Sequence, residues 1–454
     1  MNYTFHPVVK KLFTYFKESG HEVYLVGGCV RDLCMQRQFN DYDMCTSATP
    51  DEMMALANKY DIKVIPTGIK HGTLTFILDH VHIEITTYRI ESEYENNRRP
   101  KEVGFTKSLK EDVKRRDFTI NAMALNEDGL KDYYGGLKDL ENKVIRAVGD
   151  PDIRFKEDAL RILRALRFAF QLNFTIEENT WNAILRNAHL LNNISKERIR
   201  DEFCKILVSD HQDILLTLRR CGVLDVIIPE YVKTYDFEQH SSWHIYDVFM
   251  HHNIALNETK GYPLNLKIAV LLHDLEKVTY RTYDALGNGH FMGHAMASAA
   301  LSQSILRRLK FDNKTIVEVY MLIKYHDYYL YDTKKSVHKF MYKLEGDFDL
   351  AYKILKVQLA DNKAKNKDKI LNKNRMIYNV TMMLKEMEYN NECFSIKDLA
   401  INGNDVKQLG YKNEEIGKVL QHVLKFVINQ QDKNKKEILL KVAGGYKNEI
   451  INRK

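Results

Sequence analysis

VYLVGGCVRD (residues 23–32) runs a short apolar strand into a glycine pair, and NDYDMCTSATP (40–50) follows it. Val23–Val26 favours extended backbone and stops at Gly27-Gly28. Paired glycines let phosphate oxygens approach the backbone closely, and a helix starting after them aims free N–H groups at the same place. Arg31 adds a cation able to grip phosphate through two donors. By itself such a turn reads first as a plain tight turn. Asp41-Tyr42-Asp43 shifts the balance. Side chains on a strand repeat every two residues, so both carboxylates are expected on one face. Adjacent carboxylates repel unless a cation lies between them, and Mg²⁺ bound by carboxylates and substrate phosphates meets that need. Asp41 and Asp43 are therefore the expected catalytic, Mg²⁺-binding pair. Glu84 is either a third acid of this site or the polar member of an alternating strand, and the sequence leaves both open.

Outward from this core, residues 73–78 (TLTFIL) and 81–88 (VHIEITTY) predict a hairpin around Asp79-His80. Thr49-Pro50-Asp51-Glu52 carries the signature of a helix start. Beyond about residue 143 the pattern turns helical, with Leu160, Leu163, Leu166 and Phe170 on one stripe of EDALRILRALRFAF (157–170). The basic, Asn-rich stretch 361–375 reads as a solvated helix face ahead of an RNA contact. The 454 residues are 44% hydrophobic and 28% charged, which excludes wholesale disorder. A net charge of +7 permits an anionic partner without requiring one. Six cysteines without a C-x-x-C pair argue against a disulfide scaffold, and a reducing, cytoplasmic setting is expected. No apolar run is long enough to predict a membrane span, and no protein partner is evident.

RRDFTINAMA (115–124) places Arg116, Asp117 and Asn121 ahead of an apolar run. In the 157–170 segment, Asp158 and Arg161 stand at i,i+3 and are expected on one helix face, with Arg164 and Arg167 extending its basic side. Such spacing commonly means intrahelical ion pairs on a surface helix. It also supplies a donor beside an acceptor, which matches the pairing edge of cytosine and, after a small shift, of adenine; uracil and guanine present the opposite polarity. A second pattern comprises His251, His273-Asp274, His294, His326 and Asp361, spread over residues 244–361. Imidazoles and carboxylates converging from separate helices suit a divalent transition metal.

Read in order, LVGGCVRD, DYDMCTSATP, RRDFTINAMA, YYGGLKDL, EDALRILRALRFA and SKERIRDEF (all within 25–203) resemble the class II CCA-adding tRNA nucleotidyltransferases, a family that includes bacterial poly(A) polymerases. The resemblance implies an α+β protein: a small polymerase-β-like palm followed by mostly helical neck, body and tail. The expected domains are 1–142 (palm), 143–235 (neck and body), 236–365 (a helical metal-binding domain) and 366–454 (tail, contacting tRNA). It further implies that Asp41 and Asp43 hold the catalytic metals, that Gly27, Gly28 and Arg31 hold the triphosphate, and that Arg116, Asp117 and Asn121 contact sugar and phosphates. Asp158 and Arg161 would read the base of CTP or ATP, supported by Arg164 and Arg167, and the 195–203 segment would brace the adjoining turn. Residues 88–103, with Arg98-Arg99-Pro100, resemble the loop that accompanies terminal-A addition in the family. Residues 244–361 resemble the HD-type metal-dependent phosphohydrolases. That likeness implies His251, His273, Asp274 and Asp361 as core ligands and His294 and His326 as ligands of a second metal. Glu276 departs from the small residue usual there and is expected to crowd or recharge the site. The competing functions are a poly(A) polymerase, a phosphohydrolase whose N-terminal half only binds RNA, and a non-catalytic RNA-binding protein.

Overall fold

The computed structural model describes residues 3–39, 41–91, 94–95, 99–100 and 103–451. The chain divides into two compact units, Met1–Pro229 and Glu230–Lys454.

The first unit is built on a seven-stranded sheet. Its order is Gly129–Asp132, Met123–Asn126, Val23–Val26, Tyr42–Thr46, Val81–Thr87, Thr73–Leu78 and Lys63–Gly68. All neighbours run antiparallel except Tyr42–Thr46 and Val81–Thr87, which are parallel and pair Asp43 with Glu84. Val23–Val26 is buried throughout, as a central strand covered on both faces must be. Val81–Thr87 alternates instead: Ile83, Ile85 and Thr87 are buried while His82 and Glu84 are exposed. The expected hairpin forms, with Asp79 and His80 both at positive φ, as its tight turn requires. Thr49 and Glu52 form the expected capping box: the Thr49 N–H donates to Glu52 Oε2 (2.7 Å) and the Glu52 N–H to Thr49 Oγ1 (3.3 Å).

The single helix expected over 157–170 is two. Pro151–Glu157 ends at Asp158, which is extended (φ −140°, ψ 102°), and a new helix runs Leu160–Leu172. Aspartate side chains compete for nearby backbone donors and so favour helix ends over interiors. Here Asp158 Oδ1 accepts from the Leu160 N–H at 3.1 Å and starts the second helix. The expected stripe of Leu160, Leu163, Leu166 and Phe170 is buried.

The second unit is helical. Val248–Asn257, Leu264–Leu272, His294–Arg308, Asn313–Tyr325 and Phe348–Lys363 pack together, with Leu264–Leu272 buried from Leu266 onward. A further core gathers Val419, Val423, Val427, Leu439 and Ala443 from the last helices. Among the described residues, no helix is long and apolar enough to cross a membrane.

Candidate functional site

Asp41 stands just ahead of the strand Tyr42–Thr46, and Asp43 is its second residue; both are exposed. Glu84 lies level with Asp43 on the parallel neighbour and is exposed too. The register sets Glu84 beside Asp43, on a strand that also alternates buried and exposed positions. Although Asp43 is exposed as a residue, protein crowds its carboxyl and raises its pKa, with Glu84 and Asp41 adding to the rise and Arg116 opposing it.

The glycine turn abuts this acid. Gly27 has φ +75°, which disfavours any side chain, and a Cβ there would come within 3.0 Å of Arg116 Nη1 and 3.9 Å of Asp43 Oδ2. Arg31, expected to face phosphate, is buried and paired within the protein. Its Nε and Nη2 grip Asp32 at 3.0 and 2.9 Å, and its Nη1 donates to Asn121 Oδ1 at 2.9 Å. Asn121 Nδ2 donates to Asp117 Oδ1 (3.1 Å), and Arg164 donates to Asp117 Oδ2 from Nε (2.8 Å) and Nη2 (2.6 Å). A continuous path of charge-assisted bonds therefore runs from the turn to the helix Leu160–Leu172. Burial alone would raise the Asp117 carboxyl, but Arg164 and Asn121 outweigh it and bring it down to about 2.

The two expected base readers are not free-standing. Asp158 is gripped by Arg198 of the 195–203 segment, Nη1 to Oδ1 at 3.3 Å and Nη2 to Oδ2 at 2.8 Å. Arg161 Nη1 donates to Glu157 Oε2 (2.6 Å) and the Arg154 carbonyl (3.1 Å), and its Nη2 to the Arg115 carbonyl (2.8 Å). Arg167 donates to Glu202 (2.6 Å) and Gln171 (3.0 Å). Arg198, Glu202 and Phe168 were not expected to touch these side chains. Arg198 and Glu202 stand four apart in SKERIRDEF, on one helix face, and that spacing was the signal available. Of the loop expected over 88–103, Arg89–Glu91 pairs with Val103–Phe105 and Tyr94–Glu95 with Arg99–Pro100. Arg98 lies outside the described residues.

A second cluster occupies the other unit. His251, His273, Asp274 and Asp361 bring one ligand atom each within 4.8 Å of one another, and Asp274, His294 and His326 do the same. His251 Nε2 lies 3.2 Å from His273 Nε2 and 3.0 Å from Asp361 Oδ1; Asp274 Oδ1 lies 3.1 Å from His294 Nε2 and 3.3 Å from His326 Nε2. The Nδ1 atoms of these histidines rest on the carbonyls of Ala364, Val270, Phe291 and Ile323, which can only accept, so each ring turns its Nε2 inward. Asp274 Oδ1 and Oδ2, Asp361 Oδ1 and His294 Nε2 are buried without a well-directed hydrogen bond among the described residues. Lys277 and Lys365 stand 2.6 and 2.5 Å from Asp274 and Asp361. Glu276 does not crowd the ligands as expected: its carboxylate is drawn to Lys233 at 2.5 Å. A cavity of about 630 Å³ adjoins the cluster, with Lys277, Lys324, Lys343 and Lys365 in its wall.

Sheet, acids and glycine turn define the first unit as a polymerase-β-like nucleotidyltransferase fold. Three family models match the chain: "Poly A polymerase head domain" over residues 23–146, "Probable RNA and SrmB- binding site of polymerase A" over 173–234, and a tRNA nucleotidyltransferase domain 2 over 291–443. The CCA-adding enzyme of Lactobacillus delbrueckii subsp. bulgaricus is 51% identical over 201 residues, 44% of this chain and 49% of that one. The CCA-adding enzyme of Anoxybacillus flavithermus is 48% identical over 209 residues, 46% of this chain and 51% of that one. These matches span about half the length of the curated relatives. The crystal structure of Bacillus stearothermophilus CCA-adding enzyme in complex with CTP superposes with TM-score 0.73 at 25% identity, covering 99% of this chain and 100% of that one. The Thermotoga maritima CCA-adding enzyme complexed with tRNA shares the fold, with TM-score 0.58 at 22% identity over 97% and 96% of the two chains. Over these stretches the chain is similar to CCA-adding enzymes and to the poly(A) polymerase head domain.

Proposed function

We propose that this protein adds CCA, or its terminal A, to the 3′ end of tRNA from CTP and ATP, with no nucleic-acid template. One observation carries the reading: the bonded path from the Gly27-Gly28 turn, beside Asp43, through Arg31, Asn121, Asp117 and Arg164 to the helix that carries Arg161. It supports a single site in which an incoming nucleotide's phosphates and base are held by connected side chains. The CCA-adding names of the relatives support the tRNA substrate.

In the proposed reaction the tRNA 3′-hydroxyl oxygen bonds to the α-phosphorus, the bond to the β-phosphate bridge breaks, and pyrophosphate leaves while the hydroxyl proton passes to solvent. The Asp43 carboxyl is raised first by burial and further by Glu84 and Asp41, and a cation bound there would relieve that like charge. Asp41 and Asp43 would hold Mg²⁺, which when bound neutralises charge on the reacting oxygens. Arg116 lies against the glycine turn, with Nε free of hydrogen bonds among the described residues, and is proposed to meet the triphosphate. Asp158, held in place by Arg198, and Arg161 would offer the acceptor and donor that select cytosine or adenine. The test is incubation of tRNA lacking its 3′ end with CTP, ATP or both. We expect CCA-length product from the pair and none from D41A protein that still binds tRNA. A long A ladder would favour the poly(A) polymerase instead, and no extension at all would reject the reading.

A second reading concerns the His-Asp cluster, and the convergence of its ligand atoms within 4.8 Å of one another favours it. Four inward Nε2 atoms and two carboxylates fit a divalent transition metal. His251, His273, Asp274 and Asp361 would hold one ion and Asp274, His294 and His326 another. A bound ion supplies Lewis-acid chemistry toward water and a phosphoester. The lysine-walled cavity beside it would take the anionic substrate, such as a 2′,3′-cyclic phosphate at a damaged tRNA end. Phosphatase and cyclic-phosphodiesterase assays on wild-type and D274A protein decide this, and equal activity in the two defeats it.

A further inference from the structure

Three guanidiniums of the nucleotide site rest on one benzene ring. Arg167 Cζ lies 4.1 Å from the centroid of Phe168, Arg31 Cζ 5.1 Å and Arg164 Cζ 5.4 Å. The ring is 5% exposed and is steadied by Phe118, edge to face at 5.8 Å and 82°. Arg164 and Arg167 share its helix, whereas Arg31 comes from the helix after the glycine turn.

Three like charges around one ring would repel if left bare. Each has its own carboxylate: Asp32 for Arg31, Asp117 for Arg164 and Glu202 for Arg167. Those pairs cancel charge, and none of them joins Arg167 to the other two cations. The aromatic ring touches all three, because its faces attract guanidinium groups. Arg31 and Arg164 are also joined through Asn121 and Asp117, so the ring closes a loop of contacts around the site.

We propose that Phe168 is a positioning residue for nucleotide selection. It keeps Arg31, on the triphosphate side, in register with Arg164 and Arg167 on the base side, so phosphates and base of an incoming nucleoside triphosphate are gauged against one another. The proposal rests on the nucleotidyl-transfer reading above. Leucine at this position fills much of the space without the charged-face attraction. A pentafluorinated ring keeps the shape and reverses the polarity of the faces. A tyrosine keeps both.

The test compares wild type with Phe168→Leu, Phe168→pentafluorophenylalanine and Phe168→Tyr. It reads KM and kcat for CTP and ATP on tRNA lacking its 3′ end, UTP misincorporation, and thermal melting. We expect the leucine and fluorinated forms to raise KM for both nucleotides about tenfold and to relax discrimination against UTP to a similar extent, with kcat moved less. Phe168→Tyr stays near wild type. If the leucine form does not fold, the fluorinated form decides. Folded variants with wild-type KM and UTP discrimination overturn the proposal, as does a tyrosine form impaired as much as the other two. A wild-type protein that adds neither nucleotide overturns the transfer reading and this inference with it; an active wild type beside unaffected variants overturns this inference alone.

Discussion

Asp117 shows how one residue ties stability to the site. It accepts from the Phe118 N–H, Asn121 and Arg164 in a buried setting, and these bonds bring its carboxyl down from 3.8 to about 2. A depressed acid stabilises the fold above its unfolded pKa, and that contribution fades as pH falls through the window between the two values. D117N is therefore expected to lower the unfolding free energy by about 2 kcal/mol at neutral pH. Urea titrations of wild type and variant at several pH values check this. The gap between them should narrow from pH 3.8 down to about 2, and a gap that widens there contradicts the assignment.

At the scale of elements, the break at Asp158 is the informative feature. A continuous helix through 157–170 is what propensity and periodicity favour, and Glu157, Ala159 and Leu160 all suit one. The helix stops because Asp158 spends one oxygen on the Leu160 N–H and both on Arg198. The guanidinium arrives from Lys196–Leu207, within the segment that the family resemblance implied would brace this turn. The strand end carrying Asp43 follows the same logic. Glu84 gains its place beside Asp43 from a parallel pairing, which local alternation could not specify. R198A should release Asp158, costing about 1–2 kcal/mol of stability. It should also raise KM for CTP and ATP more than it lowers kcat. Steady-state kinetics with chemical denaturation check both, and unchanged KM values contradict the bracing role.

The whole molecule keeps its two clusters of acid in separate compact units, one on a sheet and one among helix ends. The sheet acids are exposed. The helical cluster is buried, its histidine Nδ1 atoms rest on backbone carbonyls, and two lysines stand against its carboxylates. Ligand binding to the native state alone raises stability by mass action, about 2.7 kcal/mol at one hundred times the dissociation constant. Mn²⁺ or Zn²⁺ is thus expected to raise the melting temperature of the nucleotide-free wild-type protein and to leave that of D274A unmoved. Differential scanning calorimetry with and without chelator reads the shift, and an equal shift in both proteins locates the metal elsewhere.

The sequence alone determined the elements whose causes are local. These are the strand ending at Gly27-Gly28, the capping box at Thr49, the hairpin at Asp79-His80 and the apolar stripe of Leu160–Leu172, each set by residues a few positions apart. It also supplied the ordered motifs that carry the resemblance to CCA-adding tRNA nucleotidyltransferases. Only the tertiary structure decided what the charged side chains face. Arg31 turned to Asn121, Arg161 to the Arg115 carbonyl, Glu276 to Lys233, and three arginines came to one ring. Long flexible cations reach many partners at similar cost, so the winner is set by which segments the fold brings within a few ångströms, and that distance is absent from the linear chain.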